Sequence, residues 1–166
     1  MTVYFFIILL VCAFDQLTKL YSMDVIAAAN NIAVSELYEG ATKPILDGIL
    51  NFTFIKNDGM AFGLLGEHRW IFMTLSTVGI VAMLVYLIYL KGEDKLFSFS
   101  LSLVIGGGIG NMFDRILLGY VVDFIDVRCF SFWKWIFNFA DSAVCVGAGL
   151  IILAVILEYA HEGKKK

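Results

Sequence analysis

The stretch LFSFSLSLVIGGGIGNMFDRILL, residues Leu96–Leu118, decides what kind of fold this chain adopts. Its first half is Leu, Phe, Val and Ile interrupted only by serine. Its middle is rich in glycine, and its first ionisable side chains, Asp114 and Arg115, come near its end. A helix needs about 20 mostly apolar residues to cross a bilayer, and this stretch meets that requirement. Three others do as well: Val3–Tyr21, Trp70–Leu90 and approximately Ile136–Tyr159. The first could be taken for a secretory signal, but it lacks a basic leading region. It also carries Asp15 and Lys19 instead of a small-residue cleavage site, so it reads as a retained helix.

Composition agrees. Of the 166 residues, 60% are apolar and 16% charged, against about 45–50% and about 25% in soluble domains. A water-soluble fold of this size could not hide that much apolar surface, and disorder needs the opposite composition. A formal charge of −3 gives no footprint for nucleic acid. The expectation is therefore an all-α membrane protein. A single integral membrane domain over residues 1–166 has transmembrane helices at about 3–21, 70–90, 96–118 and 136–159. A small extracytoplasmic β-sheet and a loop or helix cap come from segments 22–69 and 119–135.

Basic residues orient the spans. The loop Lys91–Lys95 holds two lysines in five residues and the tail His161–Lys166 three in six. On the other side Lys43, Lys56, Arg69, Arg128 and Lys134 are spread over much more chain. Both termini are therefore expected in the cytoplasm and the two long connections outside. In those connections ILNFTFIKND and GYVVDFIDVRCF alternate and are rich in β-formers, which predicts two short strands. Pro44 is expected at a turn, and Asp24–Glu39 is not placed. The three cysteines, Cys12, Cys129 and Cys145, form no framework and are read as packing residues. His68 and His161 have no partner at metal-ligand spacing, so no metal or cofactor is expected.

The informative residues are polar ones where polarity is costly. An ionised group near the bilayer centre costs about 2.5–3.5 kcal/mol on insertion scales. Asp15, Gln16, Thr18 and Lys19 end the first span, and Asn57 and Asp58 precede the second. Asn111, Asp114 and Arg115 close the third, Asp123 and Asp126 follow it, and Asn138 and Asp141 open the fourth. With four spans all of them gather at the outer face, and the inner halves stay nearly free of charge. Helical spacing puts Asn111, Asp114 and Arg115 side by side and pairs Asp15 with Lys19. Small residues at Gly106–Gly110 and at Ala143 and Gly147 let the third and fourth helices approach closely, bringing Asp141 near Asn111 and Arg115. Competing structural readings apply. Asn138 suits a helix N-cap with Asp141 in the first turn, Arg115 suits a snorkelling anchor, and Asp126 reads as solvated.

A channel or proton-coupled transporter would spread polar groups through the bilayer thickness, which the dry inner halves disfavour. A non-catalytic scaffold would tolerate amides in place of the acids. No Ser/His or Cys/His arrangement supports a nucleophile. The set fits two carboxylates sharing a water, one keeping a proton while the other acts as base. Asp141 is one of them; the residues alone leave the other open among Asp114, Asp123 and Asp126.

Five blocks in order resemble the lipoprotein signal peptidase (signal peptidase II) family of bacterial intramembrane aspartic proteases. They are DQLTK (Asp15–Lys19), NDGMAFG (Asn57–Gly63), GGGIGNMFDR (Gly106–Arg115), VVDF (Val121–Phe124) and FNFAD (Phe137–Asp141). Met60 departs from the family's usual small residue. The resemblance implies that Asp123 and Asp141 are the catalytic pair. It further implies that Asn57, Asn111, Arg115 and Asn138 hold substrate, and that Asp15, Lys19 and Asp114 serve integrity or positioning. It also implies a diacylglyceryl-modified prolipoprotein as substrate, cut just before its lipidated cysteine. The setting would be the bacterial cell membrane, in contact with lipid, with no cofactor, no nucleic acid, a monomeric working unit and inhibition by cyclic peptides such as globomycin and myxovirescin.

Overall fold

In the computed structural model the described residues are 1–58, 69–129, 132 and 135–163. The NDGMAFG block beyond Asp58, with Met60, lies outside them, as do His68, Lys134 and the terminal lysines. Among the described residues four helices are long and apolar enough to cross a membrane: α1 (Thr2–Asn30), α2 (Arg69–Leu90), α3 (Lys95–Leu117) and α4 (Phe139–Gly163). Their outward surfaces expose Leu9, Leu17, Val78, Val85 and Leu153, as lipid-facing surfaces do. Ile8, Leu87, Leu101 and Ile105 form the apolar centre between them.

α1 runs well past the expected boundary at Tyr21. The sequence SMDVIAAAN contains good helix formers, and its buried Ile26 and Ala27 pack on the sheet instead of lipid. The helix stops where Asn31 turns left-handed at φ 55° and its N–H closes on the carbonyls of Ala27 and Ala28. The unplaced stretch 24–39 is thus the end of α1 followed by a short 3-10 turn, Val34–Glu36. The Glu36 carboxylate accepts the Ala33 N–H at 3.0 Å.

Among the described residues the sheet has four antiparallel strands in chain order: β1 (Thr42–Leu46), β2 (Leu50–Asn57), β3 (Val121–Val127) and β4 (Ile136–Phe137). The two expected strands are the central pair. Pro44 lies not in a turn but in edge strand β1, beside a register shift between Pro44 and Leu46. An edge strand tolerates the missing N–H there. Ile136 and Phe137, expected in the fourth span, pair with β3 instead, so α4 begins at Phe139.

Close helix approach depends on glycine. A Cβ at Gly107 would overlap the Ala140 carbonyl of α4, and one at Gly110 would lie 2.7 Å from the Asp15 carboxylate. Gly147 faces α3 in the same way, whereas Gly106 serves the α1 contact. The packing role read for the cysteines fails: Cys129 and Cys145 are exposed, Cys12 is partly buried and all are free. An apolar run in a membrane protein can present its residues to lipid instead of a core.

Candidate active site

The middle of α1, the end of α3, strand β3 and the start of α4 converge, and each contributes polar side chains. α4 begins with a reciprocal cap. The Asp141 N–H donates to Asn138 Oδ1 at 2.9 Å, and the Asn138 N–H donates to Asp141 Oδ2 at 3.2 Å. This satisfies an orphan donor of the first turn. The Ala140 N–H, another such donor, is taken by Asp15 Oδ1 at 2.9 Å. Asn138 is therefore an N-cap, as one reading of the sequence holds, but its amide also faces the site. Its Nδ2 donates to Asp123 Oδ1 at 2.7 Å and to Asn111 Oδ1 at 3.1 Å. One asparagine, fully buried, is bonded to both carboxylates.

Asp123 arrives from the sheet. It pairs with Ile55 across the β2–β3 ladder. Asn57, two residues further along β2 and on the same face, reaches it diagonally, its Nδ2 donating to Asp123 Oδ2 at 2.8 Å. Asp123 is only 3% exposed. Burial, with Asp141 adding its negative charge, pushes its carboxyl up to about 6 against the pull of the Asn57 and Asn138 hydrogen bonds and of Lys19. Asp141, half-buried, accepts from Asn111 Nδ2 at 2.7 Å. Arg115 Nη1 donates to the Asn111 carbonyl at 3.4 Å, and its guanidinium lies in the field of Asp141, Asp123 and Asp114. Arg115, Asn111 and Asp141 share the mouth of a groove between α2, α3 and α4.

Behind this lies an ionic cluster. Lys19, 2% exposed, contacts Asp15 at 2.8 Å and Asp114 at 2.7 Å, and its Nζ donates to Asn111 Oδ1 at 3.1 Å. Asp114 also accepts the Val122 N–H at 3.1 Å, which ties β3 to α3. With its oxygen engaged by Lys19 and Asn138, the Asn111 amide can present only its NH2 to Asp141. Lys19 thus orients a group that touches a carboxylate without touching that carboxylate itself. Gln16, given no role by the sequence, joins the cluster by donating to Asp114 Oδ1 at 2.8 Å. Its place within DQLTK, beside Asp15, is the signal that points to it.

Asp126 is not solvated. It is 4% exposed, accepts from the Thr53 hydroxyl at 2.7 Å and is paired with Arg128 at 2.7 Å. Three residues from Asp123 along a strand, it points to the opposite face of the sheet. Asp114 is absorbed by Lys19. Of the three acids left open by spacing, Asp123 is the one joined through Asn138 to Asp141. Among the described residues no three His, Cys, Asp or Glu side chains converge as metal ligands would.

The chain is similar over nearly its whole length to known proteins. The family described as signal peptidase (SPase) II matches residues 7–157. A lipoprotein signal peptidase of Halalkalibacterium halodurans is 34% identical over 164 residues, covering 99% of this chain and 98% of its own. Two solved structures, each described as a bacterial membrane enzyme, superpose with TM-scores of 0.72 and 0.70. They are 30% and 31% identical to this chain, covering 97% and 93% of it and 92% and 93% of their own chains. The family match over residues 7–157 and the full-length relative place this chain, with its four candidate membrane-spanning helices and small sheet, in the signal peptidase II family of membrane peptidases.

Proposed function

We propose that this peptidase is an aspartic endopeptidase that removes the leader from diacylglyceryl-modified prolipoproteins, cutting just before the lipidated cysteine, with Asp123 and Asp141 as its catalytic pair. The observation that carries the reading is Asn138, bonded to both acids at once. Burial and the nearby Asp141 charge both disfavour an ionised Asp123, so the pair keeps one proton. The ionised member takes a proton from a water as that water attacks the scissile carbonyl, and the protonated member donates to the carbonyl oxygen. Collapse of the tetrahedral intermediate returns a proton to the leaving amine. Arg115 and the Asn111 amide offset the developing charge, and Asn57 and Asn138 hold the acids and the peptide in register.

The name of the Halalkalibacterium relative supports the substrate class, and the position of the acids, Asp141 at the start of a span and Asp123 on the adjoining sheet, supports it physically. Acyl chains stay in the bilayer while the bond to be cut meets the acids at the surface. The lysine-rich loop and tail favour an enzyme of the bacterial cell membrane with cytoplasmic termini and an outward-facing site. Globomycin-type cyclic peptides are expected to occupy the same place, and a monomer contains every residue of the site described. Purified enzyme is expected to cut a diacylglyceryl-modified prolipoprotein at least about tenfold faster, in kcat/KM, than the unmodified form. Equal turnover of the two would remove the lipid from the assignment.

The Asp123 carboxyl is raised to about 6, so it gives up its proton in a step as pH rises through that value. The singly protonated form is lost above that step, so kcat falls as pH rises through it. The Asn57 hydrogen bond favours the ionised carboxylate, so Asn57→Ala should move this alkaline limb to higher pH. A limb that stays in place, or moves down, in a pH–rate profile of the variant would separate Asn57 from the titration.

A further inference from the structure

Gly79, in the middle of α2, is half-buried, yet nothing lies within 4 Å of the position its Cβ would take. The glycines that bring helices together are different, because at Gly107 and Gly110 an added Cβ would meet the next helix. Gly79 adopts ordinary helical geometry, so no turn needs it, and glycine is unfavourable in a helix interior. Neither packing nor backbone conformation accounts for it.

What Gly79 borders is the groove that begins at Asp141. The groove has a volume of about 400 Å³ and runs between α2, α3 and α4. From its polar mouth it continues past Gly79 and Met83 on one side, Gly108 and Val104 below, and Cys145 opposite. α2 packs chiefly on α3, so the groove lies open between α2 and α4. Lipid acyl chains fill any hollow facing the bilayer whatever its outline, and a missing side chain makes little difference to them. A helical peptide has a fixed girth and packs closely only against small residues. Space preserved at one residue, continuous with the acids, suits a peptide.

We infer that Gly79 is a specificity-determining position, its open space receiving a bulky apolar side chain of the substrate's leader helix on the N-terminal side of the bond that is cut. This rests on the peptidase reading above. It also makes a distinction that reading does not: leaders with large residues on the docked face need Gly79, and leaders with alanine there do not.

The test uses full-length enzyme and two diacylglyceryl-modified prolipoproteins that differ only in leucine or alanine over the last apolar turns of the leader. Gly79→Leu is expected to lower kcat/KM for the leucine leader roughly tenfold, mainly through KM, with the alanine leader within about threefold of wild type. Gly149→Leu supplies the control. Gly149 lies on α4, is exposed, likewise has nothing within 4 Å of its Cβ position and is not among the residues lining the groove, so that variant should change neither substrate. Equal losses for both leaders, or no loss for either, would overturn the inference. So would a loss that follows acyl-chain length in a second substrate pair with matched leaders, because the space would then belong to lipid. In all of these cases cleavage by wild-type enzyme leaves the peptidase reading standing. Wild-type enzyme that cuts neither leader would overturn both.

Discussion

Asp141→Asn and Asp123→Asn are each expected to lower the kcat for prolipoprotein cleavage roughly a thousandfold or more while the protein stays folded. An amide can neither take the water's proton nor donate one from the pair. The folded state should survive because both positions keep an oxygen that accepts. Asp141 accepts from Asn111 Nδ2 and from the Asn138 N–H, and Asp123 accepts from the side-chain amides of Asn57 and Asn138. Each variant sets its new NH2 against one of these donors, which costs about 1–3 kcal/mol unless a neighbouring amide turns over. Thermal unfolding in detergent alongside the cleavage assay separates this local cost from lost chemistry. Substantial cleavage by either folded variant removes that residue from the pair.

Lys19→Met is expected to destabilise the fold by about 3–5 kcal/mol. Methionine keeps most of the volume but leaves the Asp15 and Asp114 carboxylates, both nearly inaccessible, without their cation. The damage spreads because those carboxylates also accept the Ala140 and Val122 N–H groups, which hold the start of α4 and the start of β3 in place. Adding Asp114→Asn should recover part of the loss by removing one of two unpaired negative charges. Unfolding midpoints of the single and double variants decide the matter. A single variant as stable as wild type would mean that the ionic cluster contributes no net stability.

Much of this architecture is legible in the amino-acid sequence. Spans are written as long, mostly apolar runs, and the collection of Asp15, Asn111, Asp114, Asn138 and Asp141 at one end follows from counting spans. Three things are not legible there, each for a physical reason. The overrun of α1 is hidden because its last residues are buried by the sheet, a partner distant in the chain. Strand β4, only Ile136 and Phe137, is too short to show alternation and exists because β3 offers it a partner. The choice between Asp123 and Asp126 is a matter of strand parity. Parity says that they face opposite ways but not which face meets the helices, so that choice comes from the family resemblance. Asn138 shows why two readings of one residue need not compete. Its carbonyl oxygen caps α4, and its NH2 is left free to bond Asp123.

The length of α1 has a mechanical consequence. At about 1.5 Å per residue its 29 residues form a rod of roughly 43 Å, longer than the hydrocarbon layer of about 30 Å. One rod is thus fastened to lipid along its shaft, to α4 through Asp15 and to the sheet through Ile26 and Ala27. A thicker or thinner bilayer must tilt or lift this assembly as a whole. The two acids ride at a constant height relative to each other even where their height above the lipid changes.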